Sequence, residues 1–182
     1  MRQLEEPPEP WRSFFADVDA SLTEDVHLHC CGGFVVTQLF RVARTTSDVD
    51  FLAAVPNIQG RLTEIAGKGS PLHLKHKLYF DAVTVATPPE DYETRLVPMF
   101  PGHWTHLRLH ALEAHDIALS KLERNYERDR DDVQNLARAG HLKRETLKDR
   151  YYKELRPNLL AHEQRCDLTL ELWLEFWPFP EH

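Results

Sequence analysis

Long apolar runs are absent from this sequence, and cysteines and basic residues are few. No segment approaches the roughly 18–20 consecutive apolar residues that a membrane-spanning helix needs, so we expect no membrane partner. Three cysteines among 182 residues, two of them adjacent, cannot build a disulfide framework, which favours a reducing cytoplasm. Lys and Arg number 22 against 29 Asp and Glu, for a net charge of −7. This balance argues against a general nucleic-acid coat protein, because phosphate contacts need basic side chains, although a local basic groove remains compatible with it.

The sequence does contain strand patterns in its first half and helix patterns in its second. Trp11, Phe14, Phe15 and Val18 follow the helical spacing i, i+3, i+4, i+7 and predict a helix over 11–22. Asn57 is the predicted cap of a helix through Ala66. Strands are predicted at 26–31, 48–55 and 77–85, the last within a stretch, 72–86, that can form one or two strands. Short edge strands are predicted at 96–100 and 104–109. Further helices are predicted at 113–125, 129–139, 146–160 and 168–176. Strands followed by helices indicate an α+β fold class with a helical C-terminal half.

Three acidic residues in the predicted strands form the leading candidate site. Asp48 and Asp50 are separated by one residue, so in a strand they project from the same face, while Val49 and Phe51 turn into the core. Asp81 is a lone carboxylate in the later apolar strand. Two-metal phosphoryl transfer uses carboxylates that bridge ions about 3.5–4 Å apart. We therefore expect Asp48 and Asp50 to hold Mg²⁺ on the triphosphate side and Asp81 to complete a second Mg²⁺ site.

Ordinary structural roles also account for these three acids. Asp48 can cap a turn after Thr45-Thr46-Ser47, Asp50 can be solvated, and Asp81 can pair with an arginine. The glycine pair upstream and the third acid in a later strand favour the catalytic interpretation.

Gly32 and Gly33 stand between the strand predicted at 26–31 and a helix predicted from Phe34. A strand–Gly-Gly–helix unit aims unpaired backbone N–H groups and the positive helix end at an anion. The pattern predicts a phosphate-binding turn.

The order Gly32-Gly33, Asp48-x-Asp50 and Asp81 resembles the signature of the DNA polymerase β-like nucleotidyltransferase superfamily. The segment 41–50 also resembles the R-x-[ST]-x-D-x-D motif of AbiEii/MenT-type nucleotidyltransferase toxins and of allied bacterial families of unknown function. The resemblance implies a nucleotidyltransferase-like mixed β-sheet core flanked by helices over residues 1–110. It implies a helical C-terminal region over 111–182 that packs on this core, and it adds Arg41 to the nucleotide-binding residues.

A second motif of those toxins, a helical lysine followed by [RK]-x-x-x-[KR]-D-x-x-D, is similar to residues 121–132 here. The similar positions are Lys121, Arg124, Arg128, Asp129 and Asp132. By resemblance, Lys121 contacts nucleotide phosphates, and Asp129 and Asp132 orient Lys121 or the base and ribose. The structural alternatives are a solvated helix face, with i, i+4 charge pairs worth about 0.2–0.5 kcal/mol each, and a helix cap at Asp129.

These patterns predict a Mg²⁺-dependent enzyme that transfers a nucleoside monophosphate from an NTP to a hydroxyl acceptor. The resemblance implies RNA, especially a tRNA end, as acceptor, and the toxin of a toxin–antitoxin or phage-defence system with a cognate antitoxin as partner. The alternative is a catalytically inactive nucleotidyltransferase fold that serves as a binding or partner protein, which the acidic net charge favours.

A zinc-stabilised module is a third possibility, because His27, His29 and Cys31 share one face of the predicted strand. Zinc sites usually draw on two separated ligand pairs, and no second pair stands out. We prefer a buried strand packed against helices.

Overall fold

The computed structural model describes residues 6–43, 45–84, 86–177 and 179. Arg44 of the predicted motif and Val85 at the end of a predicted strand lie outside the described residues. Contacts divide the chain into two compact units, one of residues 1–84 with 96–111 and one of residues 85–95 with 112–182. Within the described ranges, no helix has both the length and the apolar character needed to cross a membrane.

The first unit is built on a mixed sheet with strand order β3-β2-β1-β5-β4. Its strands are β1 (Val26–Cys30), β2 (Asp48–Val55), β3 (Tyr79–Ala82), β4 (Val97–Met99) and β5 (Leu107–Ala111). The pairs β1/β5 and β2/β3 are parallel, and the pairs β1/β2 and β4/β5 are antiparallel. The predicted α+β class with a mixed sheet is confirmed.

Helices α1 (Trp11–Ala20), α2 (Gly32–Gln38), α3 (Gln59–Ala66) and α4 (Pro71–His76) accompany this sheet. Aromatic rings fill the core of the unit: Phe15 lies 5.5 Å from Phe34, and Phe80 lies 5.4 Å from Phe14 and 6.0 Å from Phe51, between ring centroids. Because alternate strand residues face opposite sides, burying Phe51 turns its neighbours on β2 toward the other face of the sheet.

The second unit is mainly helical. It contains a 3₁₀ turn (Tyr92–Arg95), α5 (Ala114–Ser120), α6 (Glu127–Arg138), α7 (Arg144–Arg150), a π-helical turn (Tyr151–Leu155), a 3₁₀ turn (Arg156–Asn158) and α8 (Glu163–Phe176). Asp116 on α5 is fully buried and is paired with Arg95 and Arg150, each at 2.9 Å. A buried carboxylate without such partners would be strongly destabilising, so these pairs attach Arg95 and its 3₁₀ turn to α5 and α7.

Four secondary-structure predictions were wrong. The helix expected from Phe34 begins at Gly32, so the glycine pair lies in its first turn instead of before it. The strand expected at the sheet edge over 104–109 is β5, which lies between β1 and β4. Residues 71–76 form α4 instead of a strand, because Pro71 begins the helix and the Ser70 hydroxyl accepts a hydrogen bond from the His73 N–H at 3.1 Å. Asn57 does not cap α3, which begins at Gln59 without a side-chain cap.

Candidate active site

The three predicted acids lie on one face of the sheet in the first unit. In the parallel pairing of β2 with β3, Asp50 is the register partner of Asp81, and Asp48 is the partner of Tyr79. Register partners on neighbouring strands point to the same face, with the strands about 4.8 Å apart. Val49 and Phe51, at 0% exposure, point to the opposite face. Strand alternation places Asp48 and Asp50 together, and strand register adds Asp81.

The environments of these acids differ. Asp48 is half-buried and accepts a hydrogen bond from the Thr46 hydroxyl. Asp81 is exposed and forms no hydrogen bond or ion pair with any residue in the described part of the chain. The arginine partner considered for Asp81 is therefore not found within those ranges. Thr46 was not among the predicted site residues, although a hydroxyl two positions before the acid pair was a usable signal.

Gly32 is held against the carboxylate of Asp50. Its φ angle is +66°, and a Cβ atom added to it would lie 1.8 Å from Asp50 Oδ2. The N–H of Cys31 also donates a 2.8 Å hydrogen bond to the backbone carbonyl of Asp50. The glycine turn and the acid-bearing strand are thus in direct contact, which gives a steric reason for glycine at this position.

The donor chemistry of the acid face fits Mg²⁺ bound together with a nucleotide. Among the residues that the structure describes, no group of three or more His, Cys, Asp or Glu side chains is arranged to hold a metal ion. Mg²⁺, however, is usually held by one or two carboxylates with water and substrate phosphates rather than by a complete protein cage. Asp48, Asp50 and Asp81 offer hard oxygen donors of this kind. The same observation gives no support to a zinc site of His27, His29 and Cys31.

Lys121, in the second unit, is bound by the two acids predicted to orient it. It caps the C-terminal end of α5 and is 5% exposed. Its Nζ donates to Asp129 Oδ1 at 3.2 Å and to Asp132 Oδ2 at 2.9 Å. Both acids lie on α6 and are buried. Lys121 is therefore not part of a solvated face.

Asp129 has two roles at once. Its carboxylate accepts a 3.1 Å hydrogen bond from the N–H of Tyr126, which caps α6, and two bonds from the Arg124 guanidinium at 2.6 and 2.7 Å. Burial alone would raise the pKa of Asp129, but Arg124 and Lys121 outweigh it and hold that pKa below its usual value. The cap and the lysine contact, considered as alternatives, are both present.

The remaining predicted residues have less defined surroundings. Gly33 is buried in the first turn of α2. Arg41 is exposed and has a left-handed backbone, with φ at +57°. Arg128 is exposed, and the arginine that binds Asp129 is Arg124.

Comparisons with known proteins identify a family for this chain. Neither the curated proteins nor the solved structures contain a significant match to this chain. One protein family matches residues 17–176, a range that includes the glycine turn, all three acids of the sheet and the Lys121 cluster. The chain belongs to this family, which is described as a nucleotidyltransferase of unknown function (DUF6036).

Proposed function

We propose that this protein transfers a nucleoside monophosphate from an NTP to a hydroxyl group of an acceptor, with Mg²⁺ as cofactor. The observation that carries the proposal is the register of Asp50 opposite Asp81, with Asp48 on the same face and Gly32 in close contact with the Asp50 carboxylate. Membership in a nucleotidyltransferase family supports it. Bound Mg²⁺ would neutralise phosphate charge that three clustered carboxylates would otherwise repel.

Each acid has a distinct role in this proposal. Asp48 and Asp50 would hold the ion that accompanies the triphosphate, and Thr46 orients Asp48 through its hydroxyl. The acceptor oxygen attacks the α-phosphorus, the bond from that phosphorus to the bridging oxygen breaks, and pyrophosphate leaves with the electron pair. Asp81 would help to hold a second ion, and its carboxylate takes the proton of the attacking hydroxyl, since it is exposed and forms no bond with the described residues.

Lys121 has the chemistry of a phosphate ligand in this proposal. An ammonium group has three N–H donors, and Asp129 and Asp132 accept two of them. No described residue accepts the third donor, which this proposal assigns to a phosphate oxygen. Gly32, Gly33, Arg41 and Arg128 complete the proposed nucleotide-binding set, on the resemblance to nucleotidyltransferase toxins. The same resemblance favours an RNA acceptor, especially a tRNA end, and a toxin–antitoxin or phage-defence setting with a cognate antitoxin.

The direct test is transfer of label from α-³²P-labelled NTPs to total RNA in the presence of Mg²⁺. We expect the unaltered protein to label RNA, and Asp50→Asn and Asp81→Asn to reduce labelling by at least about a hundredfold. Glu64→Gln removes an exposed acid on α3 and serves as the matched control with full activity. Labelling that survives the double change Asp48→Ala and Asp50→Ala would contradict the proposal.

Loss of activity can be separated from loss of folding. Asp50 and Asp81 are like charges at partner positions on neighbouring strands, an arrangement that destabilises a sheet. Asp81→Asn is therefore expected to unfold at the same urea concentration as the unaltered protein or at a higher one.

A catalytically inactive binding protein is the second candidate, and the net charge of −7 favours it over an RNA-modifying enzyme. Titration calorimetry with each NTP and Mg²⁺ separates the two. Absence of heat at millimolar nucleotide would favour the inactive protein.

A further inference from the structure

Two histidines from distant parts of the chain meet on the sheet of the first unit. His27 of β1 and His110 of β5 bring Nδ1 and Nε2 to 2.9 Å from each other. Their rings are stacked, with centroids 5.1 Å apart and an interplanar angle of 15°. His29 on β1 lies beside the pair, its ring roughly perpendicular to that of His110 with centroids 6.4 Å apart. The pairing of parallel strands creates this arrangement, because His29 is the register partner of His110.

We infer that His27 and His110 form a two-nitrogen site for a transition-metal dication of the Cu²⁺ or Ni²⁺ type. Imidazole nitrogen suits these ions. With metal–nitrogen bonds of about 2.0–2.1 Å, as for zinc, two nitrogens 2.9 Å apart subtend an angle of about 90° at the metal. That angle matches neighbouring positions in the tetragonal or square-planar geometry of Cu²⁺ and Ni²⁺. A tetrahedral zinc centre needs a wider separation of about 3.3 Å.

The chemical state of the pair is suited to metal binding. Two neutral imidazoles at this separation share one N–H, so the lone pair of one nitrogen and the proton of the other point to the same place. Metal binding moves that proton to the other ring nitrogen, and rotation of the two rings then turns both lone pairs from each other toward the metal.

Access to the site is also provided. His27 is exposed, while His110 is half-buried and held on a strand that lies inside the sheet. One ligand is thus fixed and the other can be reached from solvent. Water supplies the remaining coordination positions, since no third His, Cys, Asp or Glu in the described ranges completes a group around a metal. The inference does not depend on the proposed transfer activity.

The test uses the full chain and Cu²⁺ as the probe. Electron paramagnetic resonance with one equivalent of Cu²⁺ should show nitrogen ligands from two imidazoles, and competition titration gives the dissociation constant. When one imidazole has bound the ion, a second imidazole held beside it on the same protein strengthens binding by about a hundredfold or more. His27→Gln and His110→Gln should therefore each weaken Cu²⁺ binding by about that factor. His103→Gln, at an exposed histidine outside the pair, is the matched control and should leave binding unchanged.

Metal-free thermal unfolding of each variant identifies any folding defect, and the exposed position 27 serves as the more conservative site. The inference is overturned if the Cu²⁺ spectrum and affinity of a folded His27→Gln variant equal those of the unaltered protein. It is also overturned if His103→Gln weakens binding as much as the two pair variants do.

Discussion

Gly32 shows, at the scale of a single residue, why the glycine turn and the acid pair occur together. Its left-handed φ favours glycine, and the carboxylate of Asp50 occupies the position that any side chain would need. Two independent constraints therefore act on one residue. Gly69 and Gly60 provide comparisons, because Gly69 has a φ of +90° without a close neighbour, and Gly60 lies in α3 with open space around it.

Alanine at these three glycines should separate the two constraints. Gly69→Ala should cost about 1–2 kcal/mol, the penalty of the left-handed backbone alone. Gly32→Ala should cost more than Gly69→Ala, because it adds the clash with Asp50 to that penalty. Gly60→Ala should stabilise the protein by about 0.5–1 kcal/mol, as alanine favours a helix. Urea unfolding measures all three, and equal losses for Gly32→Ala and Gly69→Ala would disprove a steric role for Asp50.

At the scale of elements, the end of α5 and the start of α6 are joined by buried charge. Lys121, Asp129 and Asp132 are each at most 5% exposed. Removing one partner from a buried ion pair leaves an uncompensated charge. The cluster therefore stabilises this helix connection whether or not Lys121 also contacts a nucleotide.

Lys121→Met should lower the free energy of unfolding by about 3–5 kcal/mol, because Asp132 and Asp129 lose their shared buried cation, although Asp129 keeps its bonds to Arg124. Asp131→Asn is the matched control: Asp131 neighbours Asp132 but is exposed, so its change should stay within about 0.5 kcal/mol. Urea denaturation gives both values. A loss below about 1 kcal/mol for Lys121→Met would show that the acids are satisfied without the lysine.

Glu113 makes the start of α5 sensitive to acid. Burial alone would raise the pKa of Glu113, but bonds from His115 and Arg150 to its charged form lower that pKa from 4.5 to about 2. A carboxyl with a lowered folded-state pKa stabilises the protein fully above the unfolded-state value, and this stabilisation is lost as the pH falls through the folded-state value. The relevant window is pH 4.5 to about 2.

Glu113→Gln should flatten the pH dependence of stability in that window. It keeps an oxygen that can accept the His115 N–H at the helix start but cannot titrate. At neutral pH it should cost on the order of 3 kcal/mol, the equivalent of the pKa shift. Glu145→Gln, at an exposed acid on α7, should leave the slope unchanged. Chemical denaturation at several pH values makes the comparison, and an unaltered slope in Glu113→Gln would refute this role.

At the scale of the whole molecule, the charge balance limits how RNA can be bound. A protein with a net charge of −7 cannot rely on long-range attraction to phosphates, so any RNA acceptor must be held through a few local contacts. For single strands, the logarithm of the binding constant falls with the logarithm of salt concentration by about 0.7 per phosphate contact.

We therefore expect a shallow salt dependence of RNA binding, with a slope no steeper than about −3 for four or fewer contacts. Fluorescence anisotropy with a labelled tRNA-end oligonucleotide at several salt concentrations measures it. Asp50→Asn, which removes one negative charge from the acid face, should bind the same RNA at least as tightly as the unaltered protein. A slope much steeper than −3 would mean that a larger basic surface takes part than the composition suggests.

How far the sequence predicted the fold depends on whether a feature is local. The β2 strand was predicted with its observed bounds because alternation, from Asp48 to Val55, and the proline that follows are local signals. The position of β5 inside the sheet was missed, because strand order follows from pairing between distant segments. The α4 helix was missed for a different reason: the strand prediction over 72–86 did not take into account the helix-starting signals of Ser70 and Pro71.

The sequence alone determined that Asp48 and Asp50 share a face and that a glycine pair precedes them, since both follow from backbone geometry within a few residues. Only the tertiary structure decided that Asp81 lies opposite Asp50 and that the Asp50 carboxylate contacts Gly32. It also decided that the rings of His27 and His110, which are 83 residues apart in the sequence, lie within hydrogen-bonding distance. The physical reason is that strand register and strand order are set by core packing across the whole unit. No short stretch of sequence contains that information.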